Sequence, residues 1–314
     1  AAAVGGTMAP LQKKDGYDPA YSAAVNITSC PTGLLIPPSN TLIIYSLISG
    51  GTSIGALFLA GYIPGILMGL SLMTVAAIIA KKRGYPLSPK PSVSEVISKT
   101  LDALPSLGLI VVIMGGIIGG IFTATEASAI AVVYTLILAL GFYREVTIKQ
   151  LPSIILESVI TTSIVLLLIG ASMGMSWAMA NADIPYMISD ALALLSDNPI
   201  VILLVINVLL LIIGIFMDMT PALLIFTPIF LPIAQSLGMD SVHFGIMMTF
   251  NLCIGICTPP VGSALFIGCS VGKVKIDKVI KPLLPFYFVL VVALMLVTFV
   301  PEISLFLPSM LLGY

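Results

Sequence analysis

The groups in this chain able to do chemistry are oxygens, and they gather around two proline pairs. Near Pro37-Pro38 stand Thr28, Ser29, Thr32, Ser39, Asn40 and Thr41; near Pro259-Pro260 stand Asn251, Thr258 and Ser263. A Pro-Pro pair inside an apolar helix deletes two backbone donors and clashes with the preceding turn. Lipid cannot satisfy the carbonyls this frees, so protein, water or an ion must do so. Hydroxyls and unwound carbonyls are hard oxygen donors that suit Na+, and half-helix N-termini suit an anionic group. Any single Ser or Thr also has a plainer use, bonding a carbonyl in its own preceding turn. A carboxylate joins the set at Asp218, within Met217-Asp218-Met219-Thr220-Pro221. An ionised Asp in the membrane costs about 2.5–3.5 kcal/mol, so it should face water, an ion or a helix end. It also suits an N-cap for a helix opening at Pro221, with Thr220 assisting.

Other chemistries find little support. His243 is the lone histidine and reads as structural. Glu126, in Thr-Ala-Thr-Glu-Ala-Ser, reads as a helix cap rather than a proton relay. Cys30, Cys253, Cys257 and Cys269 lie in apolar runs without His or acidic company, so buried free thiols are expected. An intramembrane enzyme would need a nucleophile–base pair or a metal cluster. A pump driven by ATP would need a Gly-Lys-Ser/Thr phosphate loop, and none is present. A channel should show a continuous polar file or charged rings.

The elements that position these oxygens follow from composition and repetition. Hydrophobic residues make up 59% of the 314 and charged residues 9%, against about 25% charged in a soluble domain; mean hydropathy is +1.16. The fold class is an all-α polytopic membrane protein that contacts the lipid bilayer. The net charge of −1 gives no reason to expect nucleic acid. Gly33 to Pro38 returns as Gly255 to Pro260, 222 residues on, and at the same offset Pro10 meets Pro232, Gly16 meets Gly238, Asp18 meets Asp240, Gly50 meets Gly272 and Ile54 meets Ile276. This is an internal repeat with a broken helix in each half, the best sequence-level pointer to a transporter binding site at the bilayer midplane.

Hydropathy predicts helices over 1–12, 18–36 resuming at 41–49, 55–80, 104–122, 127–143, 157–179, 185–196, 200–216, 221–236, 241–257 resuming to 271, and 282–309. A polar loop with a short amphipathic helix is expected over 84–100 and an interfacial segment over 146–156. The arms 200–216 and 221–236 are shorter than the ~20 residues of a crossing and read as a re-entrant hairpin tipped by Asp218. The run 1–12 reads as one arm of a hairpin whose other arm precedes this sequence. Alternating the segments across the bilayer puts all 13 Lys and Arg on one face, Lys90 included, and Asp183, Asp190, Asp197, Asp240 and Glu302 on the other. The positive-inside rule makes the first face cytoplasmic. Lys13-Lys14 and their offset partners Gln235-Ser236 then fall on opposite faces, so the two halves are expected to be inverted. Trp177 is expected at the outer interface.

Eight stretches taken together resemble the large membrane subunit of tripartite ATP-independent periplasmic (TRAP) transporters. They are 13–19, 33–39, 55–65, 123–128, 218–222, 227–234, 243–247 and 251–262, in order along the whole chain. The resemblance implies an elevator-type, Na+-driven importer of an organic acid. It implies a periplasmic substrate-binding protein as donor and a small four-helix membrane subunit, separate or fused, as brace, in a bacterial inner membrane. By motif, one Na+ site would use Pro31, Thr32 and Gly33 with Ser29 nearby; the other would use Asp218, Met219 and Thr220 with Gly255 and Thr258. Substrate would lie between them, near Asn40, Asn251 and Ser263. Sialic acid is the favoured substrate among the family's carboxylates; a stand-alone Na+-coupled carboxylate carrier is the alternative. The resulting domain division is 1–54 and 199–272 for the moving transport parts, 55–198 for scaffold and arm helices, and 273–314 for a C-terminal scaffold helix.

Overall fold

The computed structural model describes residues 2–85, 92–193 and 198–313. Lys90 and Asp197, and with them part of the loop expected over 84–100 and the end of the helix over 185–196, lie outside the described residues. Fifteen α-helices account for nearly all of what is described: α1 (Ala2–Lys14), α2 (Pro19–Ser29), α3 (Thr32–Leu35), α4 (Asn40–Ile48), α5 (Ile54–Arg83), α6 (Val93–Ile118), α7 (Ala124–Leu136), α8 (Leu151–Asn181), α9 (Ile184–Ala193), α10 (Pro199–Phe216), α11 (Met219–Ser236), α12 (Ser241–Gly255), α13 (Ser263–Gly272), α14 (Ile276–Phe299) and α15 (Glu302–Leu312). A π-helical turn, Ile137–Phe142, extends α7, and a 3-10 turn, Ile148–Gln150, leads into α8. Seven of these helices are long and apolar enough to cross a membrane, and the chain is a multi-pass α-helical membrane protein.

Several boundaries differ from those the sequence predicts, each for a local reason. The helix expected over 18–36 stops at Ser29, because Pro31 offers no N–H to the turn before it. The short helix expected within 84–100 and the span expected from 104 are one helix, α6, opened by the Ser92 hydroxyl accepting from Glu95 N and running through Pro105. The interfacial piece over 146–156 is likewise continuous with its span, since the Thr147 and Gln150 side chains cap the turn that leads directly into α8. The last span starts at Ile276 and is cut at Val300-Pro301 into α14 and α15. Val300 is extended, at φ −119° and ψ 87°, the conformation a following proline favours. Glu126 forms a capping box with Thr123, as expected. Cys253, Cys257 and Cys269 are buried, and among the described residues no disulfide joins any of the cysteines.

The chain divides into two compact units, Ala1–Pro86 with Ser172–Tyr314, and Leu87–Ala171. In the second, α6 is tied to α7 by Tyr134 Oη donating to the Pro105 carbonyl at 2.7 Å, and to the end of the π-helical turn by Tyr143 Oη donating to that of Asp102 at 3.0 Å. Large apolar side chains such as Val111 and Val132 point outward, 71% and 60% exposed; that is a surface for lipid or partner helices, not for water.

The first unit carries the repeat, and the repeat is written in backbone geometry. Gly16 and Gly238 both stand at positive φ, +79° and +86°, and cis peptides join Pro37-Pro38 and Pro259-Pro260. Asp18 and Asp240 both cap helices, α2 and α12, with their side chains. Ile54 and Ile276 open the long helices α5 and α14. Packing follows the same rule. The helix α1 lies on α13 while its counterpart α11 lies on α4; α2 lies on α14 while α12 lies on α5. Such a reciprocal exchange is what a two-fold relation between halves produces. The most direct instance is Pro31, whose carbonyl accepts from the thiol of Cys253, its own counterpart 222 residues on.

Close backbone approach makes the first break possible. Gly61 and Gly65 lie one turn apart on α5, and a Cβ on them would meet the Leu35 carbonyl at 2.5 Å and Ile36 Cγ1 at 2.4 Å. The unwound stretch after α3 therefore rests directly on the α5 backbone, where a larger residue would push it off.

Candidate functional site

The hairpin tip is built by two residues of extended backbone. After α10, Met217 sits at φ −121° and ψ 146°, Asp218 at φ −69° and ψ 159°, and α11 then starts at Met219. Asp218 occupies the N-cap position, but its side chain makes no cap hydrogen bond. Its Oδ1 instead accepts from Ser263 Oγ at 3.0 Å. Ser263 is the first residue of α13, whose N-cap, Gly262, has no side chain to offer. The carboxylate thus stands against a half-helix N-terminus, where the exposed N–H groups favour negative charge. On the other side of the tip Met219 is buried, and its Sδ accepts from Thr41 Oγ1 at 3.3 Å. Thr41 lies in the first turn of α4, the half-helix of the other repeat. Thr220 is half-buried beside them. The first turns of α4 and α13 therefore converge on one tip, bringing together Asp218, Met219, Thr41 and Ser263.

The second break is tightly bonded. A Cβ on Gly255 would lie 2.5 Å from Gly214 Cα, so α12 ends in direct backbone contact with α10. The Gly255 carbonyl accepts from Thr258 N at 2.9 Å, that of Ile256 from Ala264 N at 3.0 Å, and that of Cys257 from Tyr287 Oη. Thr258 Oγ1 bonds back to Ile254 at 2.8 Å, the plain use open to any helical threonine. Each carbonyl keeps a second lone pair, so these oxygens can serve a cation only while they also serve the fold.

At the first break Ser29 Oγ donates to Asn26 O at 3.2 Å, Thr32 is half-buried and Gly33 is exposed. The Pro31 carbonyl already accepts from Leu34 N at 2.9 Å as well as from Cys253. Ser39 caps α4 and donates to the Leu34 carbonyl, tying the unwound stretch into a closed turn. Among the described residues no three His, Cys, Asp or Glu side chains come together. The donors at both breaks are neutral hydroxyl and carbonyl oxygens with one carboxylate, a set that fits an alkali cation rather than a transition metal.

Asn40 and Asn251 occupy different surroundings. Asn40 is exposed at the first position of α4. Asn251 is wholly buried, and its Nδ2 donates to the backbone and side-chain oxygens of Asn207, at 2.9 and 3.0 Å. Asn207 in turn donates to Leu203 O at 2.9 Å and faces Thr298 of α14 at 3.3 Å. His243 is buried nearby, its Nε2 2.7 Å from the Val297 carbonyl. Sequence reading missed Asn207, Thr298 and Gly214. The available signal was a lone amide in the otherwise apolar run of α10. Replacing Asn207 with leucine removes the side-chain acceptor of the buried Asn251 amide and leaves only the backbone one, at a cost of about 1–3 kcal/mol. The expected result is a fall of several degrees in thermal midpoint. An unchanged midpoint in a detergent-solubilised unfolding assay would remove the network from the list of stabilising contacts.

Residues 1–303 match the family model described as "Tripartite ATP-independent periplasmic transporter, DctM component". The uncharacterized protein YgiK of Salmonella typhimurium is 61% identical over 310 residues, covering 99% of this chain and 71% of that protein. The sialic acid TRAP transporter large permease protein SiaM of Vibrio cholerae is 41% identical, over 95% of this chain and 70% of its own length. The C4-dicarboxylate TRAP transporter large permease protein DctM of Pseudomonas aeruginosa is 39% identical, over 99% and 72%.

Proposed function

The chain belongs to the DctM family of TRAP transporter large permeases, and from that premise we propose that it carries an organic acid inward by Na+ symport with an elevator-type movement. The observation that carries this reading is the convergence of both half-helix N-termini on the Asp218–Met219 tip. A substrate carboxylate held there gains from two helix ends and from hydroxyl and amide donors without a lysine or arginine in the membrane. In this reading Asp218, Met219 and Thr220, with Gly255 and Thr258, hold one Na+, and Ser29, Thr32 and Gly33, with Pro31 shaping the turn, hold another. Asn40 and Ser263, at the first positions of the two half-helices, face the substrate. Asn251 acts from behind, by holding α10 to α12. Since two of the relatives named above are named as sialic acid and C4-dicarboxylate transporters, a carboxylate is the substrate class, with sialic acid the first to try.

The partners in this reading are a periplasmic substrate-binding protein and a small four-helix membrane subunit, in a bacterial inner membrane. The test is uptake by proteoliposomes holding the complete membrane complex, with and without an inward Na+ gradient and with and without the binding protein, over a panel of organic acids. Saturable uptake that needs both is the expected result. Uptake that needs Na+ alone would make this a stand-alone carrier, and flux that needs neither would withdraw the sodium assignments.

A further inference from the structure

We propose that Cys253 and Cys257 are positioning residues whose thiols hold the first helix break in shape and tie it to the second. The need for them arises from Pro31. In a continuing helix the Ile27 carbonyl would accept from the N–H of residue 31, and proline has none. The Cys257 thiol supplies the missing donor, its Sγ 3.4 Å from the Ile27 oxygen. Four residues earlier, within α12, Cys253 Sγ lies 3.6 Å from the Pro31 oxygen. Cys257 is wholly buried and Cys253 is 1% exposed, so water does not compete for these carbonyls. The Pro31 carbonyl also accepts from Leu34 N, but the Ile27 carbonyl has lost its helical donor, and there even a weak S–H donor is worth keeping.

The location gives these bonds a second consequence. Cys253 is the repeat counterpart of Pro31, so this contact lies where the two-fold relation brings the halves together. Cys253 lies in the last turn of α12 and Cys257 just past its end at Gly255, in the second break itself. The two breaks, 222 residues apart in sequence, are thus joined by a pair of hydrogen bonds. A shift of α12 at its own break pulls on the carbonyls of Ile27 and Pro31, and so on the turn that carries Thr32 and Gly33. The transport consequence rests on the symport reading above; the positioning itself does not. A filler role for the thiols, as small apolar groups, makes a different prediction, because alanine would then serve nearly as well and serine no better.

Hydrogen exchange separates the two, measured by mass spectrometry on the full-length protein in lipid nanodiscs. The reporters are the amides of Gly33, Leu34 and Ile36, which bond to Cys30, Pro31 and Thr32 across the break. Cys257→Ala should speed their exchange about threefold to tenfold, and Cys257→Ser, which keeps a donor, should stay near the wild-type rate. The same rate in Cys257→Ala as in wild type overturns the proposal. So does Cys257→Ser exchanging as fast as Cys257→Ala, since that would leave volume as the only role. In uptake assays the Na+ concentration for half-maximal rate should rise about threefold in Cys257→Ala and return in Cys257→Ser. Wild-type uptake indifferent to Na+ would sink the symport reading while leaving the exchange experiment to decide on the thiols.

Discussion

Gly255→Leu abolishes uptake, to below about a hundredth of the wild-type rate, in protein that still inserts and purifies as a folded complex. The reason is the absence of room for even one carbon. A Cβ at this position would sit 2.5 Å from Gly214 Cα and 2.6 Å from its carbonyl carbon. Backbone cannot rotate away as a side chain can, so α10 must move bodily off α12. That movement also strains the Asn207–Asn251 pair and carries the Asp218 tip away from Ser263. Overpacking of this kind costs about 1–3 kcal/mol, which a large membrane domain survives, whereas a displaced tip loses the geometry on which coupling depends. The effect should be graded. Gly214→Ala, whose Cβ would lie 3.1 Å from Gly255 Cα, should slow uptake several-fold, and Gly255→Ala should fall between the two. Equal uptake by wild type and Gly255→Leu, at matched protein levels in proteoliposomes, would mean that the hairpin works without touching the break.

Glycine and proline explain why so much of this architecture was legible in advance. They constrain backbone dihedrals whatever surrounds them, so Gly16 and Gly238, or Pro37-Pro38 and Pro259-Pro260, announce the same shape twice in one chain. Proline is less informative about where a helix ends. Pro105, Pro282 and Pro285 lie inside continuous helices, whereas Pro31 and Pro301 end theirs. At Pro31 the freed Ile27 carbonyl finds its donor on a residue 230 positions away, which no local pattern encodes. The candidate site divides in the same manner. A carboxylate between two apolar arms marked Asp218 as a tip residue, but its partner depends on which helix end arrives beside it. Ser263 lies 45 residues downstream, and Thr41, which meets the neighbouring Met219, lies 178 residues upstream of it. The reading of Asp218 as a helix cap was reasonable from Pro221 alone. The carboxylate fails to cap because Ser263 has turned it toward α13.

That orientation is what makes Asp218→Ala informative. Removing a true cap costs about 1 kcal/mol of helix stability. Asp218 makes no cap bond, so its loss should leave thermal stability nearly unchanged. The Na+ concentration for half-maximal uptake should instead rise about tenfold or more, since one charged ligand is worth on the order of 1.4 kcal/mol or above in a partly dehydrated site. Two companions separate charge from hydrogen bonding. Asp218→Asn keeps the shape and an acceptor for Ser263 but removes the charge, and should resemble Asp218→Ala. Ser263→Ala keeps the charge and removes its tether, and should shift the sodium titration only about twofold to threefold. Were Asp218→Asn to titrate like wild type while Ser263→Ala did not, the hydroxyl would be the functional group and the carboxylate only its anchor. An unchanged sodium titration in Asp218→Ala would exclude the tip carboxylate from ion coupling. Any sodium dependence would then have to arise from neutral oxygens alone, at the break held by the two thiols or at Met219, Thr220, Gly255 and Thr258.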